Sequence, residues 1–200
     1  MTPTANPVTY GLDASMACFS VARYQRMIES GILTSEDKVE LLETYLVLKM
    51  PHNPPHDGTL DLVKAAIPAR IPCGWLYRIQ QTVVLSDSQP EPDFALVRGT
   101  PRTYLTRHPG PADVGLILEV ADSSLLRDQR DKTRIYARAA ISIYWIVNLV
   151  DRRIEVYTQP TGPTAVPSYA AFQLYHSGDT VPLVLDGSTV ATVSVDDLLP

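Results

Sequence analysis

The chain has 200 residues, 45% of them hydrophobic and 20% charged, with a net charge of −5. That is enough apolar material to close a core in one domain, and too little charge for a disordered polyelectrolyte. The acidic balance argues against coating nucleic acid through bulk charge, while leaving room for a local basic cleft.

Residues 1–17 carry two prolines among small polar side chains, the composition of a flexible N-terminal arm, and show no secretory signal. Ser20 caps an expected helix whose Val21, Tyr24, Met27 and Ile28 share one face and which Gly31 stops. Apolar runs at Val39–Leu42 and Tyr45–Met50 flank Glu43-Thr44 and predict a hairpin. The stretch from His52 to Gly58 predicts a break, because adjacent prolines oppose a helix interior or a central strand. Helical spacing returns at Leu60, Val63, Ala66 and Ile67, up to Pro68.

WLYRIQQTVVLSD, residues 75–87, reads as a strand rich in aromatic and β-branched residues, turned back by a proline-bearing segment toward Phe94–Val97. A polar connection over Gly99–Asp113 leads to a strand at Val114–Val120. A helix is expected from about Leu125 to Ala140, then the strand SIYWIVNL, which Asp151-Arg152-Arg153 turns into IEVYTQP, the clearest hairpin in the chain. Past Pro160, short strands are expected near Phe172–Tyr175, Val181–Leu185 and Thr189–Val195. No apolar run approaches the roughly 20 residues of a membrane helix. Cys18 and Cys73 form no Cys-x-x-Cys or Cys/His cluster, so a zinc or disulfide scaffold is not expected and a reducing cytoplasm is the default. The class is α+β, a mixed sheet with helices packed on it in a three-layer-like arrangement.

Two acids stand among apolar neighbours. Pro92 lacks an amide donor, so Pro92-Asp93 enters a strand at its edge and places a carboxylate near the sheet's end. Alone, Pro-Glu-Pro-Asp also suits a plain turn. Alternation puts Leu116, Leu118 and Val120 on one face of the next strand, with Ile117 and Glu119 on the other. A carboxylate so enclosed is costly unless it is paired or binds a cation. Magnesium suits two such acids, since it takes hard oxygen ligands.

On the following helix, Leu125, Asp128, Lys132, Ile135, Tyr136 and Ala139 share a face, which turns Lys132 toward the sheet bearing Glu119. Arg127, Arg130, Arg134 and Arg138 line the opposite side and are expected to form a solvated face. The bland role for Lys132 is a helix pair with Asp128. His52 and His56 are four apart, but Asn53-Pro54-Pro55 is expected to deny them the helix that would make a metal pair. Tyr144 and Trp145 read as core and subunit contact rather than base-stacking platforms, and Ser123-Ser124 as a helix cap.

With VELLE and His56, PEPDFALV, LEVADSSLLRDQRDKTRIYARAAI and IYWIVNLVDRRIEVY, the sequence resembles the PD-(D/E)XK nuclease superfamily, and more closely its Uma-type bacterial putative restriction endonucleases, over roughly residues 19–160. The resemblance implies a restriction-endonuclease-like mixed sheet flanked by helices, in a single domain over 18–200. Its core would span about 19–160, with a strand-rich extension over 161–200. It implies metal ligation by Asp93, Glu119 and the carbonyl of Val120, and catalytic roles for these acids, Lys132 and the additional acid Glu40. It also suggests substrate contacts from His56 and Gln81. The superfamily's Glu-x-Lys is absent, because residue 121 is Ala; in the Uma-type relatives the lysine stands on the helix, where Lys132 is. Ala140 replaces the glycine usual before the YW strand.

The implied activity is Mg²⁺-dependent hydrolysis of DNA phosphodiester bonds, with Mn²⁺ as a substitute, by a cytoplasmic homodimer with no membrane association. The competing reading is an inactive module that keeps the fold and binds nucleic acid or protein. An unrelated hydrolase lacks a recognisable nucleophile–base pair.

Overall fold

The computed structural model describes residues 17–200, so the arm expected over residues 1–17 lies outside the described residues except for Ala17. A first helix, α1 (Val21–Glu29), starts where Ser20 Oγ accepts the Arg23 amide at 3.2 Å. The antiparallel hairpin of β1 (Val39–Leu42) and β2 (Tyr45–Leu48) follows. Its turn residues Glu43 and Thr44 both take positive φ, 47° and 71°. Two such residues give the twist a two-residue hairpin needs, but side chains other than glycine adopt that conformation at a cost.

The prolines expected to break the chain instead begin a helix, α2 (Pro54–Ala66). Pro54 and Pro55 occupy its first turn, where a missing N–H leaves no hydrogen bond unmade, and the Asn53 side chain caps it by accepting the His56 amide at 3.1 Å.

The central sheet has six strands in the order β3 (Trp75–Ile79), β4 (Phe94–Arg98), β5 (Val114–Ala121), β6 (Ile143–Asn148), β7 (Arg153–Pro160) and β8 (Tyr169–Tyr175). The β5–β6 pair is parallel and the other pairs are antiparallel. The third strand of the chain is shorter than expected. Gln80 turns out of it at φ 49°, and Pro90 and Pro92 on the returning segment have no amide with which to extend the ladder.

Every residue of β5 and β6 is buried, as suits central strands covered on both faces. Between them runs a helical crossover of three pieces: α3 (Leu125–Arg127), a π-helical turn (Asp128–Lys132) and α4 (Thr133–Arg138). A separate two-stranded hairpin, β9 (Thr180–Leu185) with β10 (Ser188–Ser194), follows the sheet.

Two cores lie on opposite faces of the sheet. Leu116, Leu118 and Val120 pack with Leu60 and Val63 of α2 and with Leu183 and Val193 of the last hairpin. Ile117 and Ala121 pack with Ile135 and Tyr136 of α4 and with Leu42 of the first hairpin. The alternation expected for this strand is therefore observed, and the arrangement is α+β with helices on both faces. Tyr144 and Trp145 are both fully buried core, so neither side chain is presented for the subunit contact expected of them. Gly115 admits the last hairpin to the sheet: a Cβ there would stand 2.5 Å from the Trp75 ring and 2.7 Å from Leu185.

Candidate active site

The antiparallel register Phe94↔Leu118 brings the start of β4 beside the far end of β5, and so places Asp93 next to Glu119 and Val120. Asp93 Oδ2 accepts the Val120 amide at 2.9 Å, and the Asp93 amide lies 3.4 Å from Glu119 Oε2. Both acids are buried, at 7% and 2% exposure. Pro92-Asp93 is thus more than a turn. The backbone that would have continued the ladder is replaced by a carboxylate taking a ladder amide.

Lys132 reaches this pair from the crossover, with Nζ 2.8 Å from Glu119 Oε1 and 3.7 Å from Asp128 Oδ1. Tyr136 donates to the same Oε1 at 2.8 Å. Asp128, Lys132 and Tyr136 recur at strict four-residue intervals, which on a regular α-helix would drift by roughly 40° each step. All three face the sheet, as the regular wheel already expected, and the π-helical turn over Asp128–Lys132 widens the helix between the first two; the Asp128 carbonyl is held by the Thr133 hydroxyl at 2.8 Å and the Tyr144 hydroxyl at 3.3 Å. Ser124 sits at the cap position, but its hydroxyl donates to Asp128 Oδ2 at 2.6 Å and makes no cap hydrogen bond.

The remaining candidates take varied places. Glu40 is buried on β1, accepts the Glu91 amide at 3.2 Å and lines the same cleft as Asp93, Glu119, Val120 and Lys132. His56, in the first turn of α2, lies with Nε2 3.1 Å from Asp93 Oδ2. Gln81 is exposed and outside the cleft lining; the glutamine that reaches the carboxylate is its neighbour Gln80, at 3.4 Å from Asp93 Oδ1. The Asn-Pro-Pro segment does not separate His52 from His56, whose rings stack at 4.1 Å.

The arginine stripe also differs from expectation. Arg134 and Arg138 both grip Glu43 in the turn of the β1–β2 hairpin, Arg138 also holds Asp87 at 2.7 Å, and Arg127 donates to the Leu48 carbonyl at 3.0 Å. Arg130 is the one that faces solvent, at 73% side-chain exposure. The helix wheel gave the direction correctly, but a second layer, the hairpin, lies there. This clamp fixes β1, and with it Glu40, against the helix that carries Lys132.

Electrostatically the cleft has an excess of acid. Burial pushes the Glu119 carboxyl well above the usual carboxylate range; Lys132 opposes this, and Asp93 and Asp128 add to it. Burial likewise raises Asp128. Burial alone would discharge Lys132, but Glu119, Glu40, Asp128 and Asp93 together hold its ammonium charged well above the ordinary lysine value. Asp93 ends below its usual range: burial raises it, but hydrogen bonding and charge from His56, Lys132 and the Val120 amide prevail. His56 is raised, because Asp93 and Asp57 outweigh its desolvation. Asp128 Oδ1 has no hydrogen-bond partner.

A divalent cation fits this donor set. It would meet hard carboxylate oxygens, offset the surplus negative charge, and supply bound water to an acceptor that now lacks a donor. Asp128 is the residue that sequence reasoning underrated. Its four-residue spacing to Lys132 was visible, but only as a helix ion pair.

Comparison with known proteins places this geometry in context. The family model described as Uma2, putative restriction endonuclease, matches residues 21–193. Among solved structures, a putative nuclease belonging to DUF820 from Anabaena variabilis ATCC 29413 is similar, with a TM-score of 0.63 at 12% identity, covering 90% of this chain and 97% of that one. At that identity the likeness concerns the fold. No curated protein matches significantly.

Proposed function

The chain belongs to the Uma2 family of putative restriction endonucleases, and from that premise we propose that it is a metal-dependent endonuclease hydrolysing phosphodiester bonds of DNA. The observation that carries the reading is the convergence of Asp93, Glu119 and Lys132, from two adjacent strands and the crossover between β5 and β6, in one buried cleft. Asp93 and Glu119 would hold Mg²⁺, or Mn²⁺ in its place, with the Val120 carbonyl beside them and Glu40 in the outer shell. When bound, such an ion polarises the phosphate and lowers the pKa of attacking water.

The protein's own groups have separable tasks. Lys132, whose ammonium form four acids favour, orients the attacking water or offsets charge developing on the phosphate oxygens. Glu119 keeps that ammonium in place, and Tyr136 fixes the Glu119 carboxylate. His56 steadies Asp93. The same reading has the protein act in the cytoplasm as a homodimer that cuts both strands.

The test is cleavage of duplex, single-stranded and branched DNA by wild type and Asp93→Ala in Mg²⁺ or Mn²⁺. Wild type should cut at least one of these, and the variant should lose activity by about 10²-fold or more. A folded wild type that binds no cation and cuts none of the three would end the proposal, and binding of DNA without cleavage would favour the inactive module.

A further inference from the structure

We propose that His52, His56 and Asp93 form a second cation site at the edge of the cleft, selective for a later first-row metal such as Co²⁺ or Zn²⁺ over Mg²⁺. The inference rests on the reading above for its place beside the reaction, since Asp93 serves both sites, but not for its ligands.

The three residues each offer a ligand atom, and these atoms lie within 4.8 Å of one another. His56 Nε2 and Asp93 Oδ2 are 3.1 Å apart. Two ligands each about 2.1 Å from a shared ion, and near a right angle to one another, stand roughly 3 Å apart. The local sequence builds the arrangement. Pro54 and Pro55 fix the first turn of α2 and the Asn53 side chain caps it, so His56 is presented from that turn with its ring stacked on His52, 22° from parallel.

The surroundings are those of an oriented imidazole. Asp57 Oδ1 lies 3.4 Å from His56 Nδ1 and orients the ring with Nε2 toward Asp93, whose contact with Nε2 a bound cation would replace. Gln80 Nε2 stands 3.3 Å from His52 Nδ1 and 3.4 Å from Asp93 Oδ1, tying the third ligand to the first. A separate observation points the same way. Asp128, which lines the same cleft, is 2% exposed, and its Oδ1 accepts no hydrogen bond, Lys132 Nζ standing 3.7 Å away; the water shell of a cation in the cleft would supply a donor.

The chemistry sets the selectivity. Mg²⁺ takes oxygen ligands in a strict octahedron, whereas imidazole nitrogen favours the later first-row ions. The two imidazoles joined to Asp93 therefore favour a different class of ion from the oxygen donors of Asp93 and Glu119.

The experiment uses the full chain, stripped with a chelator, without DNA. Substoichiometric Co²⁺ is added while the ring signals of the four histidines are followed by NMR. His52 and His56 should shift or broaden first, with His108 and His176 unaffected. His52→Ala, a change at a partly exposed side chain ahead of the helix, should weaken Co²⁺ binding at least about 10-fold and leave Mg²⁺ binding as in wild type. Equal broadening of all four histidines, or wild-type Co²⁺ affinity in His52→Ala, would overturn the site. A protein that binds Co²⁺ through His52 and cuts no DNA keeps this site and loses the nuclease reading. One that cuts DNA while His52→Ala binds Co²⁺ normally does the reverse.

Discussion

Lys132 and Tyr136, one turn apart on the crossover, converge on the same oxygen of Glu119, each at 2.8 Å. The lysine brings charge and the tyrosine brings only a hydrogen bond, so their loss should differ in kind. Lys132→Met removes the cation from a cluster of buried acids. It should cost about 3–5 kcal/mol of stability, as breaking a buried pair does, and reduce DNA cleavage by about 10²-fold or more. Tyr136→Phe should cost about 1–3 kcal/mol and reduce cleavage far less. Denaturant melts and single-turnover cleavage of the two variants check this; equal losses of activity would remove the assigned role of Lys132.

If Glu119 ligates a divalent ion as proposed, the ion and a proton compete for its carboxylate oxygens. Burial, with Asp93 and Asp128 nearby, raises the Glu119 carboxyl well above its usual range, so occupation by a metal must displace a proton held to higher pH than by a free carboxylate. Mg²⁺ affinity should therefore rise with pH through the range in which Glu119 titrates, with protons released on binding. Calorimetry in two buffers of different ionisation enthalpy measures that release. Glu119→Gln, which has no proton to displace, should abolish both the release and most of the affinity; proton release unchanged in this variant would locate the titrating group elsewhere.

Much of the site was legible because a charge inside an apolar run is costly. Asp93 and Glu119 stood out for that reason, and strand alternation put Glu119 on the face that the crossover covers. Three features were not legible, each for its own reason. The π-helical turn carries no sequence signal in Asp128–Lys132: a regular wheel already put Asp128, Lys132 and Tyr136 on one face, but could not show that the helix widens between the first two. Pro54-Pro55 was read for what proline does inside a helix, while at the first turn it does no harm. The arginines were aimed outward correctly, but a wheel knows nothing of the hairpin waiting there.

Glu43 is the acid of that arginine clamp. It sits at φ 47° in a hairpin turn and takes hydrogen bonds from both Arg134 and Arg138. The Arg134 hydrogen bond is the leading influence on its carboxyl and, although burial opposes it, the two arginines hold the pKa below the usual value. A depressed folded pKa contributes stability that is present above the unfolded value and lost as pH falls through the folded one. Glu43→Gln should thus melt lower than wild type at neutral pH, by about 1–2 kcal/mol for a partly exposed charged network. The gap should close once the pH falls below the folded pKa of Glu43. Thermal melts across that interval decide it, and a gap that stays constant with pH would assign the effect to the strained turn.

Ala140 ends the crossover with φ 57°, a left-handed conformation that an alanine Cβ disfavours and glycine adopts freely. The chain needs that sharp reversal because Ile141 returns its amide to the Tyr136 carbonyl at 3.0 Å before entering β6. Glycine here relieves the steric cost in the folded state but gives the unfolded chain more freedom, and the first effect is the larger at a left-handed position. Ala140→Gly should therefore stabilise the protein by about 0.5–1 kcal/mol, raising Tm by roughly 1–4 °C for a chain of this size. Calorimetry of the single variant checks the sign. A lower Tm would mean that the Ala140 methyl makes packing contacts worth more than the backbone strain it imposes.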